Sequence, residues 1–184
     1  MKRTLVTVVL AIVLVLGITA ARMIARGGDA LAAGDAAAAE GRDADAIASW
    51  EAAAREYVPL APHVDAAYQR LVAIGAQDRT NPARRLAAWR DVRSAALATR
   101  GLWTPHVLDL ERANAMIAEL ASRDPEGAAA AGANAVARRL YHATQLAADR
   151  RPGPGQVAFF VGGIAVVVVG IGLLIRFTRR AARR

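Results

Sequence analysis

The pattern of apolar and polar positions divides the chain into two uniformly apolar stretches and a longer region of helical periodicity between them. Residues 4–21 carry no charged side chain and are rich in Leu, Val and Ile, and residues 157–175 form a second stretch of the same kind. At a rise of 1.5 Å per residue each stretch spans about 27 Å, close to the hydrocarbon thickness of a bilayer. A buried core helix does not need every face apolar over this length. The pattern therefore predicts two transmembrane helices.

The first apolar stretch has a second interpretation, as a cleaved signal peptide. Lys2 and Arg3 form a basic start, and the small residues Thr19, Ala20 and Ala21 offer a place for a peptidase to cut. A retained anchor is favoured because the apolar run is longer than the usual signal-peptide core of about 7 to 15 residues. Both interpretations predict export of the residues that follow.

Basic residues beside the two stretches predict their orientation. Lys2 and Arg3 precede the first stretch. Five arginines follow the second stretch: Arg176, Arg179, Arg180, Arg183 and Arg184. Because cytoplasmic flanks carry the excess of Lys and Arg, both termini are expected in the cytoplasm. Residues 27–151 are then extracytoplasmic, and the protein is expected in the bacterial inner membrane.

Between the two stretches, apolar residues recur at the three- and four-residue spacing of helices, and no alternating strand pattern interrupts them. Four such faces can be recognised: Ile47, Trp50, Ala54 and Tyr57; Val64, Ala67, Tyr68 and Leu71; Leu86, Trp89, Arg93 and Ala96; and Leu110, Ala113, Ile117 and Leu120. Alanine, a strong helix former, is abundant throughout. The expected fold class is all-α, with two transmembrane helices flanking a small extracytoplasmic helical domain.

Three helix starts share one chemistry, an oxygen-bearing side chain followed by proline. They are Asn81-Pro82, Thr104-Pro105 and Asp124-Pro125. The oxygen can accept a hydrogen bond from a free backbone N–H, and proline has no N–H to lose at the first helical position. A flexible exit from the first helix is expected at Gly27-Gly28.

The predicted organisation has six parts along the chain. They are an N-terminal transmembrane anchor or uncleaved signal at 1–26, an extracytoplasmic helical domain at 27–125, a further helix toward the membrane at 126–151, a linker at 152–156, a transmembrane helix at 157–175 and a basic cytoplasmic tail at 176–184.

Residues 34–53 resemble one tetratricopeptide repeat (TPR). The residues that match the order and spacing of the repeat are Gly34, Gly41, Ala46, Trp50 and Ala53. The resemblance implies two antiparallel helices that approach closely through small side chains, with Trp50 between them. The positions that depart from the repeat carry smaller residues than usual, at Ala30, Ala33 and Ala37. An alanine-rich helical hairpin without kinship to the family is the alternative.

The stretch 57–121 is similar to a family of small, uncharacterised bacterial envelope proteins. The similarity is carried by Tyr57-Val58-Pro59, Ile74-Gly75, Ala98-Thr99-Arg100, Thr104-Pro105-His106 and Arg112-Ala113-Asn114-Ala115-Met116-Ile117-Ala118. It implies export and a helical, TPR-like domain. Some members of the family are thought to be encoded beside TonB-ExbB-ExbD energy-transducing components. The resemblance implies no catalytic residue.

The distribution of charge along the chain is more informative than the net charge. The net charge of +8 would suit a nucleic-acid partner. Residues 27–150, however, hold 14 Arg against 16 Asp and Glu, and the other basic residues flank the apolar stretches. The basic excess is therefore a topology signal and a contact for anionic membrane lipid, and no nucleic-acid partner is expected.

One basic stripe within the domain is the candidate partner-binding surface, and its members are Arg84, Arg85, Arg90 and Arg93. It either contacts an anionic partner or lipid headgroup, or it is a solvated helix face. The expected packing framework consists of Trp50, Tyr57, Tyr68, Trp89 and Trp103. Glycines that would admit a neighbouring membrane helix are Gly162, Gly163, Gly170 and Gly172, although glycine is common in membrane helices in any case.

No reaction is indicated by the sequence. His63, His106 and His142 lack the spacing of zinc ligands on one helix, and the chain has no cysteine. Glycine-rich nucleotide loops and the nucleophile elbow of hydrolases are missing from it. Acidic pairs such as Asp43 and Asp45 suit a helix start better than acid–base catalysis. Neither enzymatic activity nor a cofactor or metal is expected.

The expected function is that of a membrane-anchored scaffold that presents a helical domain to envelope proteins, including ExbB-, ExbD- or TonB-like partners. Anchoring raises the effective concentration of the domain near membrane partners. The alternative is an accessory or oligomerising membrane subunit of a transport or energy-transducing complex. No charged residue lies inside either apolar stretch, which argues against a transporter acting alone.

Overall fold

A computed structural model describes residues 2–77, 81–101, 104–123 and 134–148, and within these ranges every regular element is a helix. The six helices are α1 (Lys2–Ala39), α2 (Asp43–Arg55), α3 (Pro62–Ala76), α4 (Pro82–Ala98), α5 (Val107–Ser122) and α6 (Ala135–Ala148). The prediction of an all-α fold is confirmed for this part of the chain. The second predicted membrane helix at 157–175 lies outside the described residues.

By length and composition, α1 is suited to cross a membrane. Its stretch Ala11–Ala39 has a mean hydropathy of 1.5 in the most apolar window, of which 6% is buried. Large apolar side chains such as Leu14 (62%) and Leu16 (63%) are mostly exposed. A bilayer accommodates such a helix because all its backbone groups are bonded internally. A signal sequence near an N-terminus has the same character.

The expected exit at Gly27-Gly28 is not present, because α1 continues to Ala39. The helical glycines instead admit side chains from neighbouring helices. Gly27 lies directly against the ring of His63, and a Cβ at Gly34 would be 2.5 Å from Cδ1 of Trp50. The prediction was wrong because glycine at a close helix contact and glycine at a break have the same sequence signal.

A short turn with Gly41 at φ +76° joins α1 to α2. Asp35 then ties α1 to two other helices: its Oδ1 accepts hydrogen bonds from Trp50 Nε1 at 3.0 Å and from Arg70 Nε at 3.2 Å. Helices α1 and α2 therefore form a hairpin at the residues that resemble a TPR unit. Kinship with that repeat family stays a prediction.

The core of the bundle is built largely from small side chains. Half of its buried cluster is alanine: Ala37, Ala46, Ala53, Ala54, Ala61, Ala67, Ala88, Ala95, Ala96 and Ala113. The apolar faces predicted on α3 and α5 are buried throughout. On α4 the buried face is rotated from the predicted one, since Val92 is buried whereas Leu86 and Arg93 are only partly so.

Contact between α3 and α4 is centred on Trp89, whose side chain is fully buried. Its Nε1 donates to the backbone oxygen of Gly75 at 2.9 Å. The predicted cap of α4 is confirmed, because Oδ1 of Asn81 accepts a hydrogen bond from the backbone N–H of Ala83 at 2.8 Å. The side chain thus satisfies one of the free N–H groups at the helix start.

The predicted start at Thr104-Pro105 is wrong, because α5 begins at Val107. His106 occupies the preceding position, where its ring stacks on Tyr68 with centroids 3.9 Å apart and Nδ1 lies 3.1 Å from Oδ2 of Asp109. Tertiary packing of this histidine therefore sets the start of the helix. The third predicted cap, Asp124-Pro125, lies outside the described residues.

Successive helices reverse direction within the unit Ile18–Arg150, to which the bundle belongs. The start of α6 lies at the end of α5, since Arg138 Nε donates to the backbone oxygen of Ser122 at 2.9 Å. Farther along α6, Leu146 lines a cleft together with Ile117 of α5. The last helix therefore returns toward the end of the bundle where α5 begins.

Candidate functional site

A cleft of about 670 Å³ lies between α4, α5 and α6, with one residue from α2. Its apolar lining is Leu97, Ala98, Ile117, Ala121 and Leu146. Its polar lining among the described residues is Arg55, Arg90, Arg93, Ser94, His142 and Gln145, none of which is acidic. The volume is within the range of about 300 to 1,000 Å³ that is usual for ligand sites. The cleft therefore joins a cationic surface to an apolar one.

The three arginines of the cleft differ in how they are held. Arg93 Nε donates to Oδ1 of Asn114 on α5 at 3.0 Å. Arg55 pairs with Glu51 one turn earlier, with 3.5 Å between Nε and Oε1. Arg90 is exposed and has no hydrogen-bond or ion-pair partner among the described residues. Two guanidinium groups are thus positioned by the domain, and the third is available to a ligand.

His142 contributes a buried polar atom to the same cleft. Its Nε2 has no hydrogen-bond partner among the described residues, and its ring meets Tyr141 edge-on, with centroids 5.6 Å apart. A buried nitrogen without a partner costs about 1 to 3 kcal/mol. A ligand with a hydrogen-bonding group beside its apolar part would satisfy this atom.

The charge near the cleft depends on pH because of Asp91. The pKa of Asp91 is raised to about 6, mainly by burial, with a further contribution from the Glu51 carboxylate that Arg55 partly offsets. Asp91 therefore becomes charged over the mildly acidic range. When it is ionised, its negative charge reduces the positive potential around Arg55.

The structure divides the arginine stripe predicted from sequence. Arg84 forms a short, half-buried ion pair with Asp43 at the start of α2. Arg85 Nε donates to the backbone oxygen of Gly75 at 3.1 Å. Only Arg90 and Arg93 line the cleft. Two members of the stripe therefore hold α4 to neighbouring elements, and two belong to the candidate site.

No family model, curated protein or solved structure matches the chain. The chemistry of the cleft is therefore judged from its own residues. Guanidinium groups form strong, directional hydrogen bonds with carboxylate and phosphate oxygens. Beside them, the side chains of Leu97, Ile117 and Leu146 offer apolar contact. The arrangement suits an anionic group attached to an apolar one.

The predicted aromatic framework lies mostly in the core. Trp50, Tyr68 and Trp89 are buried, and burial raises the pKa of the Tyr68 phenol. Tyr57 is half-buried and packs against the core cluster. Trp103 lies outside the described residues. The membrane-helix glycines lie outside them as well: Gly162, Gly163, Gly170 and Gly172.

A second, smaller pocket of about 310 Å³ surrounds His106. Asp109 lies 3.1 Å from its Nδ1, and Asp65 lies 3.8 Å from its Nε2. The described residues that line this pocket include no serine, threonine or cysteine. Among the described residues, no group of three or more His, Cys, Asp or Glu side chains is arranged to hold a metal ion. The contacts of His106 in this pocket hold α5 against α3.

Sequence reasoning missed most residues of the candidate site and its support, among them Arg55, Asn114 and His142. These three belong to α2, α5 and α6 and meet α4 only after folding. His142 was considered as an isolated histidine, and no local pattern distinguishes it. Knowledge of which helices pack together would have identified these residues. A single sequence does not contain that information.

Proposed function

We propose that the protein is a membrane-anchored, non-enzymatic interaction protein of the bacterial envelope that binds partner proteins in the cationic cleft. The observation that carries this proposal is the lining of the cleft, in which the described residues include three arginines, several apolar side chains and no acidic residue. Such a surface fits a partner segment in which acidic residues lie beside apolar ones. ExbB-, ExbD- or TonB-like proteins are the partner class suggested by the sequence resemblance.

Two features support an anchored domain outside the cytoplasm. The N-terminal part of α1 is apolar and exposed, and the sequence contains a second apolar stretch at 157–175. The last described helix, α6, returns toward the end of the bundle at which Gly27 of α1 contacts His63. A chain that leaves and re-enters one membrane would have this course, and the basic flanks favour both termini in the cytoplasm.

Site-specific photocrosslinking tests the cleft as the binding site. Ala98 lines the cleft and is exposed, so a benzophenone amino acid at this position would lie within it. We expect the full chain in bacterial membranes to form an adduct with an envelope protein. Because Arg90 is exposed and has no partner among the described residues, Arg90→Glu should lower the adduct yield about tenfold through charge repulsion.

The matched control is Arg139→Glu, a reversal of an exposed arginine on α6 that does not line the cleft. It should leave the adduct unchanged. Equal adduct yields in both variants would contradict the cleft as the binding site. Recovery of the chain only with itself, in a ring-like oligomer that leaks ions from vesicles, would favour an accessory membrane subunit instead.

A further inference from the structure

Among the described residues, the large apolar side chain with the highest fractional exposure lies in the connection between α2 and α3. Leu60 has a relative exposure of 103% and adopts φ +67°. The left-handed conformation is unfavourable for a residue with a Cβ. The side chain of Leu60 is thus fully exposed, and its backbone has a conformation that leucine rarely adopts.

Two more apolar side chains are exposed at the start of α5. Val107 is 46% exposed and Leu108 is 76% exposed. The start of α5 and the α2–α3 connection are neighbours, because the ring of His106 meets Tyr57 edge-on with centroids 6.4 Å apart. Leu60, Val107 and Leu108 therefore belong to the same end of the bundle, and we call them the apolar end.

The apolar end is also the end at which α1 arrives. Gly27 packs against His63 in the first turn of α3, and Asp35, farther along α1, binds Arg70, farther along α3. The two helices therefore run in the same direction. Residues of α1 that precede Gly27 extend past the apolar end.

That extending part of α1 is itself apolar and exposed. Ile18 is 51% exposed and Ile24 is 43% exposed, and the basic residues Arg22 and Arg26 lie beside them. From the last residue of the uncharged run, Ala21, to Gly27 the helix rises about 9 Å. A headgroup layer is about 5 to 7 Å thick. When the run occupies the hydrocarbon, Gly27 and His63 lie just outside the headgroup layer. Leu60 belongs to the connection that precedes α3, so it lies between that level and the headgroups.

We propose that the apolar end is a lipid-contacting surface, in which Leu60, Val107 and Leu108 insert among the headgroups of the bilayer that α1 crosses. This inference rests on the membrane anchoring in the proposed function. Apolar side chains at such depth gain free energy by leaving water, since the headgroup and acyl boundary accepts them to about 5 to 10 Å. The contact explains why the chain exposes a leucine in a costly conformation.

Depth-dependent fluorescence quenching tests this contact. The chain has no cysteine, so single cysteines can be introduced into the full-length protein and labelled with an environment-sensitive fluorophore. The reporters are Leu60→Cys and Leu108→Cys. The matched control is Ala44→Cys, which is exposed in the first turn of α2 at the opposite end. Leu14→Cys reports on the membrane span of α1.

The labelled proteins are reconstituted into phosphatidylethanolamine and phosphatidylglycerol vesicles that contain nitroxide lipids, and iodide is added as the aqueous quencher. We expect iodide quenching at positions 60 and 108 to be about threefold weaker than at Ala44. Nitroxide at the headgroup should quench positions 60 and 108 but not Ala44. Nitroxide in the acyl chains should quench position 14.

The outcomes separate this inference from the proposed anchoring. If position 14 is quenched within the bilayer while positions 60 and 108 respond to iodide as Ala44 does, the lipid contact is refuted and the anchor stands. If position 14 is freely accessible to iodide, the anchoring and the contact that depends on it both fail.

A second variant tests the role of Leu60 without a fluorophore at that position. Leu60→Asn places a polar residue that tolerates positive φ at the exposed position, so folding should be preserved. In the Leu108→Cys background it should raise iodide quenching at position 108 about twofold, because the apolar end binds lipid less well. Ala44→Asn is the control and should have no effect. An unchanged response in Leu60→Asn would overturn the role of Leu60.

Discussion

At Asp91, on α4, the domain holds a carboxyl group in surroundings that favour its neutral form. Burial is the main cause of the raised pKa of about 6, and Glu51 adds repulsion that Arg55 partly offsets. An aspartate in an unfolded chain has a pKa of about 3.9. Between these two values the folded state binds more protons than the unfolded state. The free energy of unfolding therefore falls as the pH rises from about 4 to about 6.

Removal of this charge should stabilise the domain above that range. We expect Asp91→Asn to raise the free energy of unfolding at pH 7.5 by about 1 kcal/mol, after allowance for solvent screening. The gain should shrink at pH 4.5, where the wild-type carboxyl is mostly protonated. Thermal unfolding of the full chain in detergent, followed by circular dichroism at both pH values, measures the difference.

Asp45→Asn serves as the control for Asp91, because Asp45 is exposed and pairs with Arg42. It should not reproduce the gain at pH 7.5. Parallel stability profiles for Asp91→Asn and the wild type would show that the carboxyl of Asp91 is not perturbed.

The sequence predicts residue types better than residue partners. It places four arginines on one helix, and that placement is correct. It cannot tell that Arg84 meets Asp43, 41 positions earlier, or that Arg93 meets Asn114, 21 positions later. These partners come from other helices, so local spacing does not distinguish a structural arginine from one that lines the cleft.

At the scale of the helices, the contact between α3 and α4 leaves no room for a side chain at Gly75. A Cβ there would lie 2.7 Å from Cε2 and Nε1 of Trp89, which is fully buried and cannot move into solvent. We expect Gly75→Ala to destabilise the domain by about 2 kcal/mol through overpacking. Denaturant unfolding followed by circular dichroism measures the loss.

Gly28→Ala is the matched control, because no atom lies within 4 Å of a Cβ at this position of α1. It should stabilise the helix by up to about 1 kcal/mol through the better helix propensity of alanine. If both substitutions changed stability in the same direction, the close contact at Gly75 would not govern the packing of α3 on α4.

The sequence predicts a helix boundary correctly where the capping residue is close in the chain. It does not do so where contacts with another helix determine the boundary. Asn81 caps α4 through an atom two residues away, so the sequence was sufficient. The start of α5 is set by the stacking of His106 on Tyr68, a residue of another helix. At Gly27, where the sequence predicts an exit, α1 is continuous and packs against His63 of α3. Each failure has a distant partner as its physical cause.

For the whole molecule, the proposed two-span arrangement predicts opposite outcomes for enzyme fusions at two positions. Alkaline phosphatase becomes active only outside the cytoplasm, where its disulfides form. We expect activity when it is fused after Gln77 and at least about tenfold less when it is fused after Arg184. Colony assays normalised to fusion protein levels measure both.

The fusion after Gln77 serves as the control for export, and the C-terminal fusion tests the second crossing. High activity in both would contradict a second span with a cytoplasmic end. Low activity in both would contradict export of the domain. The expectation of this topology rests on the charge distribution of the sequence.

Half of the buried cluster is alanine, and this composition has a consequence for how the domain can change. Alanine has no rotamers to lose on folding, so its burial carries little side-chain entropy cost. It also lets helix backbones approach until almost no space is left between them. Most enlargements at these ten positions would force helices apart, whereas exposed positions are free to vary. Mutational tolerance should therefore follow side-chain volume more closely than hydrophobicity across the core.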